Sequence, residues 1–254
     1  MARPAPHPFL DHSGLLAFAH RGGALEFPEN TLSAFEGAVQ MGYRYLETDV
    51  HATEDGVLLA FHDDILDRVT DRTGNVAAMP FTAVQKARIN GCEPIPLMAD
   101  LLDAFPDTRF NIDPKADTSV EPLIALLKQK GALDRVCVGS FSERRLQALR
   151  DEFGDRICTS MAQVGVARLR FKSWGLPSWG FRAQCAQVPT HAGRIPVVDD
   201  RFCATAHDLN MQVHVWTIDE EAQMEHLIDQ GVDGLMTDRP SVLKAVLERR
   251  GLWA

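Results

Sequence analysis

The feature that most constrains the fold of this 254-residue chain is a repeated alternation of strand-like and helix-like hydrophobic patterns from residue 15 onward. Short runs with a period of two predict strands, and longer runs with apolar residues every three or four positions predict amphipathic helices. The predicted strands are Leu15–His20, Tyr45–Val50, Arg109–Lys115, Val136–Phe141, Ile157–Met161, Ala183–Val188, Gln212–Ile218 and Gly234–Asp238. The predicted helices include Thr31–Met41, Val120–Lys130, Ser142–Phe153, Asp200–Asn210, Glu220–Gln230 and Ser241–Arg250.

Eight strand–helix units in a chain of this length are typical of a (β/α)8 barrel, also called a TIM barrel. We therefore predict an α/β fold of this architecture. A doubly wound open sheet is the alternative. The first strand is not followed by the GxGxxG turn that would favour the dinucleotide-binding version of that sheet.

The alternation is interrupted once, between about residues 51 and 106. A hairpin signal, Glu54-Asp55-Gly56, is followed there by irregular sequence with prolines at positions 80, 94 and 96. No Pro-, Gly- or Ser-rich linker divides the chain elsewhere. We therefore predict one domain over residues 1–254, with a small insertion after the second strand.

The charge balance limits the possible partners. The chain has 26 Lys and Arg residues against 35 Asp and Glu residues, which gives a formal net charge of −9. Such a chain repels phosphate backbones and anionic bilayers, so general nucleic-acid binding is disfavoured. An anionic substrate must instead be attracted locally, by a metal ion or by a few basic side chains.

The apolar runs and the cysteines of the sequence indicate the cellular compartment. The first residues contain no apolar signal-peptide core, and no run is long enough to span a bilayer, so we expect no stable membrane insertion and a cytoplasmic location. The five cysteines are odd in number, widely spaced and never arranged as CxxC. We expect free thiols, mostly in the core, rather than disulfides or a zinc site.

Polar residues alternate along the second and third predicted strands. The period of two places Glu47 and Asp49 on one face of the second strand, and Asp113 and Lys115 on one face of the third. In a barrel these faces point inward near the C-terminal strand ends, where barrel enzymes have their active sites. Converging carboxylates favour a hard divalent cation such as Ca²⁺ or Mg²⁺. The alternative is that they form salt bridges with Lys115 and with arginines.

Two histidines are predicted to reach the same place. His20 ends the first strand, and a hairpin turn at Asp55-Gly56 returns His62 to the level of Asp49. An imidazole near its ordinary pKa can accept a proton in one step and donate one in the next. The pair is therefore suited to acid–base catalysis.

These residues, taken together, resemble the glycerophosphodiester phosphodiesterase family. The resemblance lies in His20-Arg21-Gly22, Pro28-Glu29-Asn30-Thr31, Glu47-x-Asp49, His62-Asp63, Asn111-Ile112-Asp113-x-Lys115, Val215-Trp216-Thr217, Gly231-Val232-Asp233-Gly234 and Thr237-Asp238-Arg239-Pro240. It covers nearly the whole chain, and the combination is highly specific. The family fold is a (β/α)8 barrel with a small insertion after the second strand, in agreement with the pattern above.

The resemblance implies a role for each site residue. Glu47, Asp49 and Asp113 would hold one divalent cation, Ca²⁺ or Mg²⁺, and family members usually have glutamate at the third of these positions. His20 and His62 would be the acid–base pair. Arg21 and Lys115 would bind phosphate oxygens. Apart from the resemblance, Trp216 shares a strand face with His214 and Ile218, and it could pack against the glycerol of the substrate or be an aromatic residue of the core or rim.

The implied reaction is metal-dependent hydrolysis of a glycerophosphodiester to glycerol 3-phosphate and an alcohol, through a cyclic phosphate. One alternative is lysophospholipase D activity or a cyclising phospholipase on the same barrel. Another is a catalytically silent binding protein. The aromatic segment 171–181 could form a lip for an acyl chain, although a structural cover or a dimer contact is the simpler interpretation.

A few further residues are expected to lie beside the site. Glu29 could contact the site from the loop after the first strand. Asn30 or Thr31 is expected to cap the next helix, and Asn30 is the favoured of the two. Gln187 and Asp238 are expected to form hydrogen bonds that support the site.

Overall fold

A ring of eight parallel strands forms the centre of the computed structural model, which describes residues 6–253. The first half contains β1 (Leu16–His20), α1 (Leu32–Gln40), β2 (Tyr45–Ala52), β3 (Leu58–Ala60), α2 (Phe81–Val84), β4 (Arg88–Ile89), β5 (Glu93–Pro94), α3 (Met98–Ala104), β6 (Arg109–Pro114) and α4 (Val120–Lys130). The second half contains β7 (Val136–Val138), α5 (Glu143–Phe153), β8 (Cys158–Thr159), α6 (Gln163–Ser173), β9 (Cys185–Val188), β10 (His191–Ala192), β11 (Ile195–Pro196), α7 (Asp200–Asp208), β12 (Gln212–Val215), α8 (Glu221–Asp229), β13 (Gly234–Thr237) and α9 (Pro240–Arg249).

The strand order confirms the predicted barrel and excludes the open sheet. The ring runs β8–β7–β6–β2–β1–β13–β12–β9, with parallel pairing throughout. Gln184 joins the two end strands, because its backbone N donates to Thr159 O at 3.1 Å and its side-chain oxygen accepts from Thr159 N at 2.9 Å.

Successive side chains of each strand point alternately to the outside and to the inside of the strand ring. On β2 and β6, Leu46, Val50, Phe110 and Ile112 face the surrounding helices and are fully buried. Tyr45 faces the interior of the barrel instead, where it packs with residues of β1 and β13. The predicted division into an outer apolar face and an inner polar face is therefore confirmed for these two strands.

The insertion after β2 is smaller than the expected range of about 51–106. Strand β2 continues to Ala52, and helix α3 packs against the main helix-side core through Met98, Leu101 and Leu102. Between them, β3 folds back antiparallel to β2, and the remaining segment buries its own small apolar cluster. The insertion therefore has a fixed shape, which positions the residues that it carries.

A short N-terminal segment closes the bottom of the barrel. A 3₁₀ turn at Pro8–Leu10 places the fully buried Phe9 against Phe18 and Tyr45, with ring centroids 6.4 and 5.3 Å apart. Tyr45 Oη donates to Phe9 O at 2.9 Å, and Gln212 Nε2 donates to Leu10 O at 3.0 Å. The barrel is therefore accessible from its C-terminal end and covered at the other.

The cysteines form no disulfide, as expected. All five are free, and only Cys92 is exposed. Cys137, Cys158 and Cys185 lie inside the barrel, with sulfur atoms within 4.8 Å of one another. Within residues 6–253, no helix has both the length and the apolar character needed to cross a membrane.

Candidate active site

A cavity of about 200 Å³ opens at the C-terminal ends of the barrel strands. Its wall contains all eight residues assigned from the sequence to catalysis, substrate or metal: His20, Arg21, Glu47, Asp49, His62, Asp113, Lys115 and Trp216. They come from β1, β2, β6, the insertion and the end of β12, so residues almost 200 positions apart in the sequence meet in one place.

Asp49 is the most buried carboxylate in the cavity. It is 1% exposed, and its Oδ1 lies 2.8 Å from Lys115 Nζ while its Oδ2 lies 3.0 Å from Arg21 Nε. Burial alone would raise the pKa of Asp49, but the charges of Lys115 and Arg21 outweigh burial and lower it. Asp49 is therefore the carboxylate that stays ionised most readily.

Asp113 lies beside Asp49 because β2 and β6 pair these two residues in register. Lys115 Nζ lies 2.9 Å from Asp113 Oδ2, so one ammonium bridges both carboxylates. Burial raises the pKa of Asp113, and the charge of Lys115 does not fully offset this effect. In the absence of a metal ion, the carboxylates of Asp49 and Asp113 thus form salt bridges with Lys115, as the alternative prediction stated.

Glu47 has less positive charge near it. Its Oε2 accepts a hydrogen bond from the backbone N of Arg21 at 3.1 Å and lies 3.7 Å from His20 Nε2. Burial, together with the negative charge of Asp49, raises the pKa of Glu47 to about 7. The site therefore holds more carboxylate than its cationic side chains can balance.

The donor set fits a hard divalent cation. Three buried or largely buried carboxylates face only two cationic side chains of the cavity wall, and the donors are all oxygen. In the described chain, however, the oxygen atoms of these three carboxylates are not grouped within 4.8 Å of one another. The three thiols inside the barrel are grouped that closely. A shared ion would have to draw the carboxylates closer and displace the Lys115 ammonium from between two of them.

His20 forms a hydrogen bond with the residue that follows the last barrel strand. Its Nδ1 lies 2.6 Å from Asp238 Oδ1, directly after β13. Burial lowers the pKa of His20, but the carboxylates of Glu47 and Asp238 outweigh burial and raise it. The predicted supporting role of Asp238 is confirmed as a hydrogen bond to His20.

His62 reaches the cavity through the hairpin, as the turn signal predicted. Phe61 N donates to Asp49 O at 2.9 Å, and His51 Nε2 contacts His62 O at 3.0 Å. His62 Nδ1 lies 2.6 Å from Asp63 Oδ1. Both histidines are thus fixed at Nδ1 by a carboxylate.

Arg68 is a residue near the site that the sequence analysis missed. It binds Asp63 through Nε at 2.6 Å and Glu29 through Nη2 at 2.7 Å, and it joins the insertion to the loop after β1. Glu29 also contacts Arg21 Nη1 at 3.2 Å. Arg68 lies in irregular sequence, where no periodicity indicates which way its side chain points.

The assignment of Asn30 as a helix cap is wrong. Thr31 is the cap of α1, since its Oγ1 accepts from Ala34 N at 3.2 Å. Asn30 has φ +56° and a buried side chain that packs against β2, where Oδ1 accepts from Thr48 at 2.8 Å and Nδ2 approaches Asp49 at 3.4 Å. Asparagine tolerates this left-handed conformation better than most residues, so the position supports Asp49 instead.

The opposite wall is more apolar. Trp216 is partly buried and packs edge-on against Phe141, with ring centroids 5.7 Å apart. The buried Gln187 donates from Nε2 to Asn111 Oδ1 at 2.7 Å, which confirms its expected hydrogen-bonding role. The cavity therefore has a charged side and an aromatic side.

The sequence model of the glycerophosphoryl diester phosphodiesterase family matches residues 20–242. The chain belongs to the glycerophosphodiester phosphodiesterase family. The match includes both histidines, the three carboxylates, Arg21, Lys115 and Trp216, and it confirms the resemblance noted from the motifs. As a member of this family, the chain is a phosphoric diester hydrolase that acts on glycerophosphodiesters.

Relatives and solved structures are similar over most of the chain. The Mycobacterium tuberculosis protein named "Probable glycerophosphodiester phosphodiesterase 2" is 38% identical over 251 residues, which cover 96% of this chain and 95% of that protein. Rat Lysophospholipase D GDPD1 is 28% identical over 266 residues, covering 90% and 85%.

Two solved structures share the fold. The glycerophosphodiester phosphodiesterase of Agrobacterium tumefaciens has a TM-score of 0.75 at 23% identity and covers 91% of this chain and 99% of its own. An Oleispira antarctica phosphodiesterase, solved with the product sn-glycerol-3-phosphate, has a TM-score of 0.78 at 21% identity and covers 92% and 97%.

Proposed function

We propose that this chain converts glycerophosphodiesters to glycerol 3-phosphate and an alcohol by acid–base catalysis between His20 and His62, with one bound divalent cation. The proposal rests on one observation, which is that the two imidazoles have the same kind of hydrogen-bond partner and line the same cavity. Each is held at Nδ1 by a carboxylate 2.6 Å away, and both line the cavity that contains the acidic cluster. With Nδ1 engaged, Nε2 is the atom of each ring that can exchange a proton with substrate.

Arg21 and Lys115 would bind the phosphate oxygens. They are the cationic side chains of the cavity wall, and each already contacts Asp49. A phosphodiester anion repels nucleophiles, so neutralising its charge is a large part of the catalytic task. Lys115 would move from its bridge between two carboxylates to the phosphate when the cation binds.

Glu47, Asp49 and Asp113 would hold the cation, Ca²⁺ or Mg²⁺. When bound, the ion supplies positive charge that stabilises the negative charge developing on the phosphoryl oxygens. Asp113 is shorter by one methylene than the glutamate usual in the family, and a water molecule would complete the ligand shell on its side.

In the first step, His62 takes the proton of the glycerol 2-hydroxyl. The 2-oxygen bonds to phosphorus as the bond between phosphorus and the alcohol breaks, and His20 donates a proton to the departing oxygen. In the second step, His20 takes a proton from water, the water oxygen bonds to phosphorus, and His62 protonates the 2-oxygen as the five-membered cyclic phosphate opens.

The test is hydrolysis of glycerophosphocholine after EDTA treatment, with Ca²⁺, Mg²⁺ and Mn²⁺ added back separately. Product is followed by phosphorus NMR, which separates glycerol 3-phosphate from a cyclic phosphate. Loss of turnover and its recovery with an added ion supports the proposal. Full turnover by the metal-free protein would contradict the proposed requirement for a cation. Accumulation of a cyclic phosphate would identify a cyclising phospholipase.

A second candidate is lysophospholipid cleavage. Rat Lysophospholipase D GDPD1 is 28% identical to this chain. The aromatic side of the cavity continues into an apolar groove, which is the specific observation in favour of an acylated substrate.

We also propose a cytoplasmic location. The free thiols support it, because disulfides are rare in reducing compartments. Fractionation of cells that express the tagged protein at native level tests it, and recovery in the periplasmic or extracellular fraction would contradict it.

A further inference from the structure

A chain of hydrogen bonds through Arg68 links His62 to Arg21. Arg68 Nε and Nη2 donate to Asp63 at 2.6 and 3.1 Å, and Asp63 Oδ1 lies 2.6 Å from His62 Nδ1. Arg68 Nη1 and Nη2 donate to Glu29 at 2.8 and 2.7 Å, and Glu29 accepts from Arg21 Nη1 at 3.2 Å. One guanidinium therefore binds two carboxylates, and each carboxylate binds a side chain of the cavity wall.

Both carboxylate pairs of Arg68 are bidentate, and together they use all three nitrogen atoms of the side chain. A planar guanidinium that binds two carboxylates in this way also fixes the distance and the angle between them. Lysine carries a single ammonium on a flexible stem and cannot impose that geometry. The shape of the arginine side chain, and not its charge alone, therefore suits this position.

The backbone on both sides of Arg68 is anchored in the insertion. Leu66 is fully buried in the apolar cluster of the insertion, and its backbone N donates to Gly74 O at 2.9 Å. Val69 packs against the same cluster, and its carbonyl oxygen accepts from Asn90 N at 2.8 Å. The guanidinium is thus carried by a fixed segment, although 47% of the side chain is exposed.

The two side chains that this network joins are not aligned by the strand ring. Arg21 follows the end of β1, and His62 lies beyond the end of β3. Strand register sets the spacing of residues within paired strands, as for Asp49 and Asp113, but not the spacing of side chains in connecting segments. The bridge through Arg68 supplies a constraint that the barrel itself does not provide.

Arg68 also keeps both carboxylates ionised. Its hydrogen bonds, together with that of His62, lower the pKa of Asp63. Burial raises the pKa of Glu29, but Arg68 and Arg21 outweigh burial and lower it. An ionised Asp63 accepts the Nδ1 proton of His62, and an ionised Glu29 attracts the guanidinium of Arg21.

We propose that Arg68 is a positioning residue, which sets the spacing between His62 and Arg21; the inference rests on the function proposed above. His62 takes the proton of the 2-hydroxyl, and Arg21 binds the phosphate that this hydroxyl attacks. In the described structure Arg68 does not line the cavity, so it acts through Asp63 and Glu29. A misplacement of about 1 Å at a reacting group can cost about 10²-fold in rate, so this spacing has a measurable effect.

The test is steady-state hydrolysis of glycerophosphocholine by two variants of Arg68. Arg68→Ala should lower kcat by about 10-fold, because His62 loses support, and should raise KM, because Arg21 loses support. Arg68→Lys keeps the charge but not the bidentate geometry, so it should recover only a small part of kcat. Arg72→Ala is the matched control from the same insertion. Arg72 donates to Lys86 O, and its variant should match the parent protein.

Variants of the two carboxylates separate positioning from a general loosening of the fold. Asp63→Asn should lower kcat and Glu29→Gln should raise KM, because each releases one of the two side chains of the cavity wall. Adding Arg68→Ala to Asp63→Asn should then cause little further loss of kcat, and adding it to Glu29→Gln little further rise of KM. An arginine that only stabilises the fold would lower kcat by the same factor in every background.

Four results would overturn the inference. Parental kcat and KM in Arg68→Ala would refute the role of Arg68 and leave the proposed function intact. Full recovery of kcat in Arg68→Lys would show that charge suffices. Losses that add in both double variants would assign Arg68 to the stability of the fold alone. Failure of the parent protein to hydrolyse glycerophosphocholine would refute the proposed function and the inference with it.

Discussion

Asp238 Oδ1 lies 2.6 Å from His20 Nδ1, so the residue that follows the last barrel strand holds the imidazole at the end of the first strand. A carboxylate in this position orients the ring and selects the tautomer with the proton on Nδ1. Asp238→Asn is expected to lower kcat by about 10- to 100-fold, the range known for carboxylates that orient functional histidines.

The measurement is steady-state kinetics of Asp238→Asn on glycerophosphocholine. The loss should be in kcat more than in KM, because Asp238 contacts His20 and not the phosphate-binding side chains. Asp229→Asn, which removes a surface carboxylate paired with Arg250, is the control and should match the parent protein. An unchanged kcat in Asp238→Asn would show that His20 needs no such support.

Substitution of either histidine is expected to abolish most of the turnover. His20→Ala and His62→Ala should each lower kcat by at least about 10²-fold, because each removes a proton carrier from both steps. His51→Ala removes a neighbouring imidazole that contacts only the backbone of His62, and it should cost much less. Near-parental turnover in a folded His20 or His62 variant would exclude that residue from catalysis.

Asp113→Glu tests the cation site. The longer side chain can reach the ion directly, so the concentration of Ca²⁺ or Mg²⁺ that gives half-maximal activity should fall. Metal titrations of the EDTA-treated parent and variant measure this change. A weaker metal response in Asp113→Glu would mean that position 113 does not ligate the ion.

The Arg68–Asp63 pair should contribute to stability in a pH-dependent way. Hydrogen bonds from Arg68 and His62 lower the pKa of Asp63 to about 2, below the unfolded value of about 3.9. The contribution of the pair is therefore fully present above about pH 4 and is lost as the pH falls toward 2. Because Arg68 is half-exposed, it amounts to at most about 1 kcal/mol.

Urea unfolding of the parent and of Arg68→Ala at several pH values checks this prediction. The difference in unfolding free energy should be largest near neutrality and shrink below pH 4. Arg72→Ala, whose side chain donates to a carbonyl oxygen, should show no such trend. A difference for Arg68→Ala that stays constant with pH would contradict the assignment.

The cyclic intermediate predicts a strict requirement for the 2-hydroxyl. Glycerophosphocholine methylated at the 2-oxygen has no proton for His62 to take and no free nucleophile, so it should not be cleaved. Competition assays distinguish this result from a failure to bind, since the analogue should still inhibit. Cleavage of the methylated compound would instead indicate direct attack by water.

The barrel and most of its site follow from periodicity. A period of two decides which side chains of β2 and β6 point inward, and register then places Asp49 opposite Asp113. The hairpin signal correctly predicted that His62 lies level with Asp49, because a tight turn fixes how two strands align.

Residues outside periodic segments could not be predicted in this way. Arg68 lies in the insertion, where tertiary contacts decide the direction of its side chain. Asn30 was assigned by cap preference, which does not distinguish it from the adjacent Thr31. Helix α6 was not among the predicted helices, because apolar residues such as Val164 and Leu169 do not share one face and those facing the groove are not core residues.

The N-terminal floor of the barrel also has a temporal consequence. The ribosome adds Phe9 and Leu10 well before β12, yet Leu10 O receives its hydrogen bond from Gln212, 202 positions later. These apolar side chains can have no complete docking place on a nascent chain that still lacks β12. The segment that carries Phe9 and Leu10 is therefore secured only after β12 has been synthesised, and this end of the barrel stays uncovered until then.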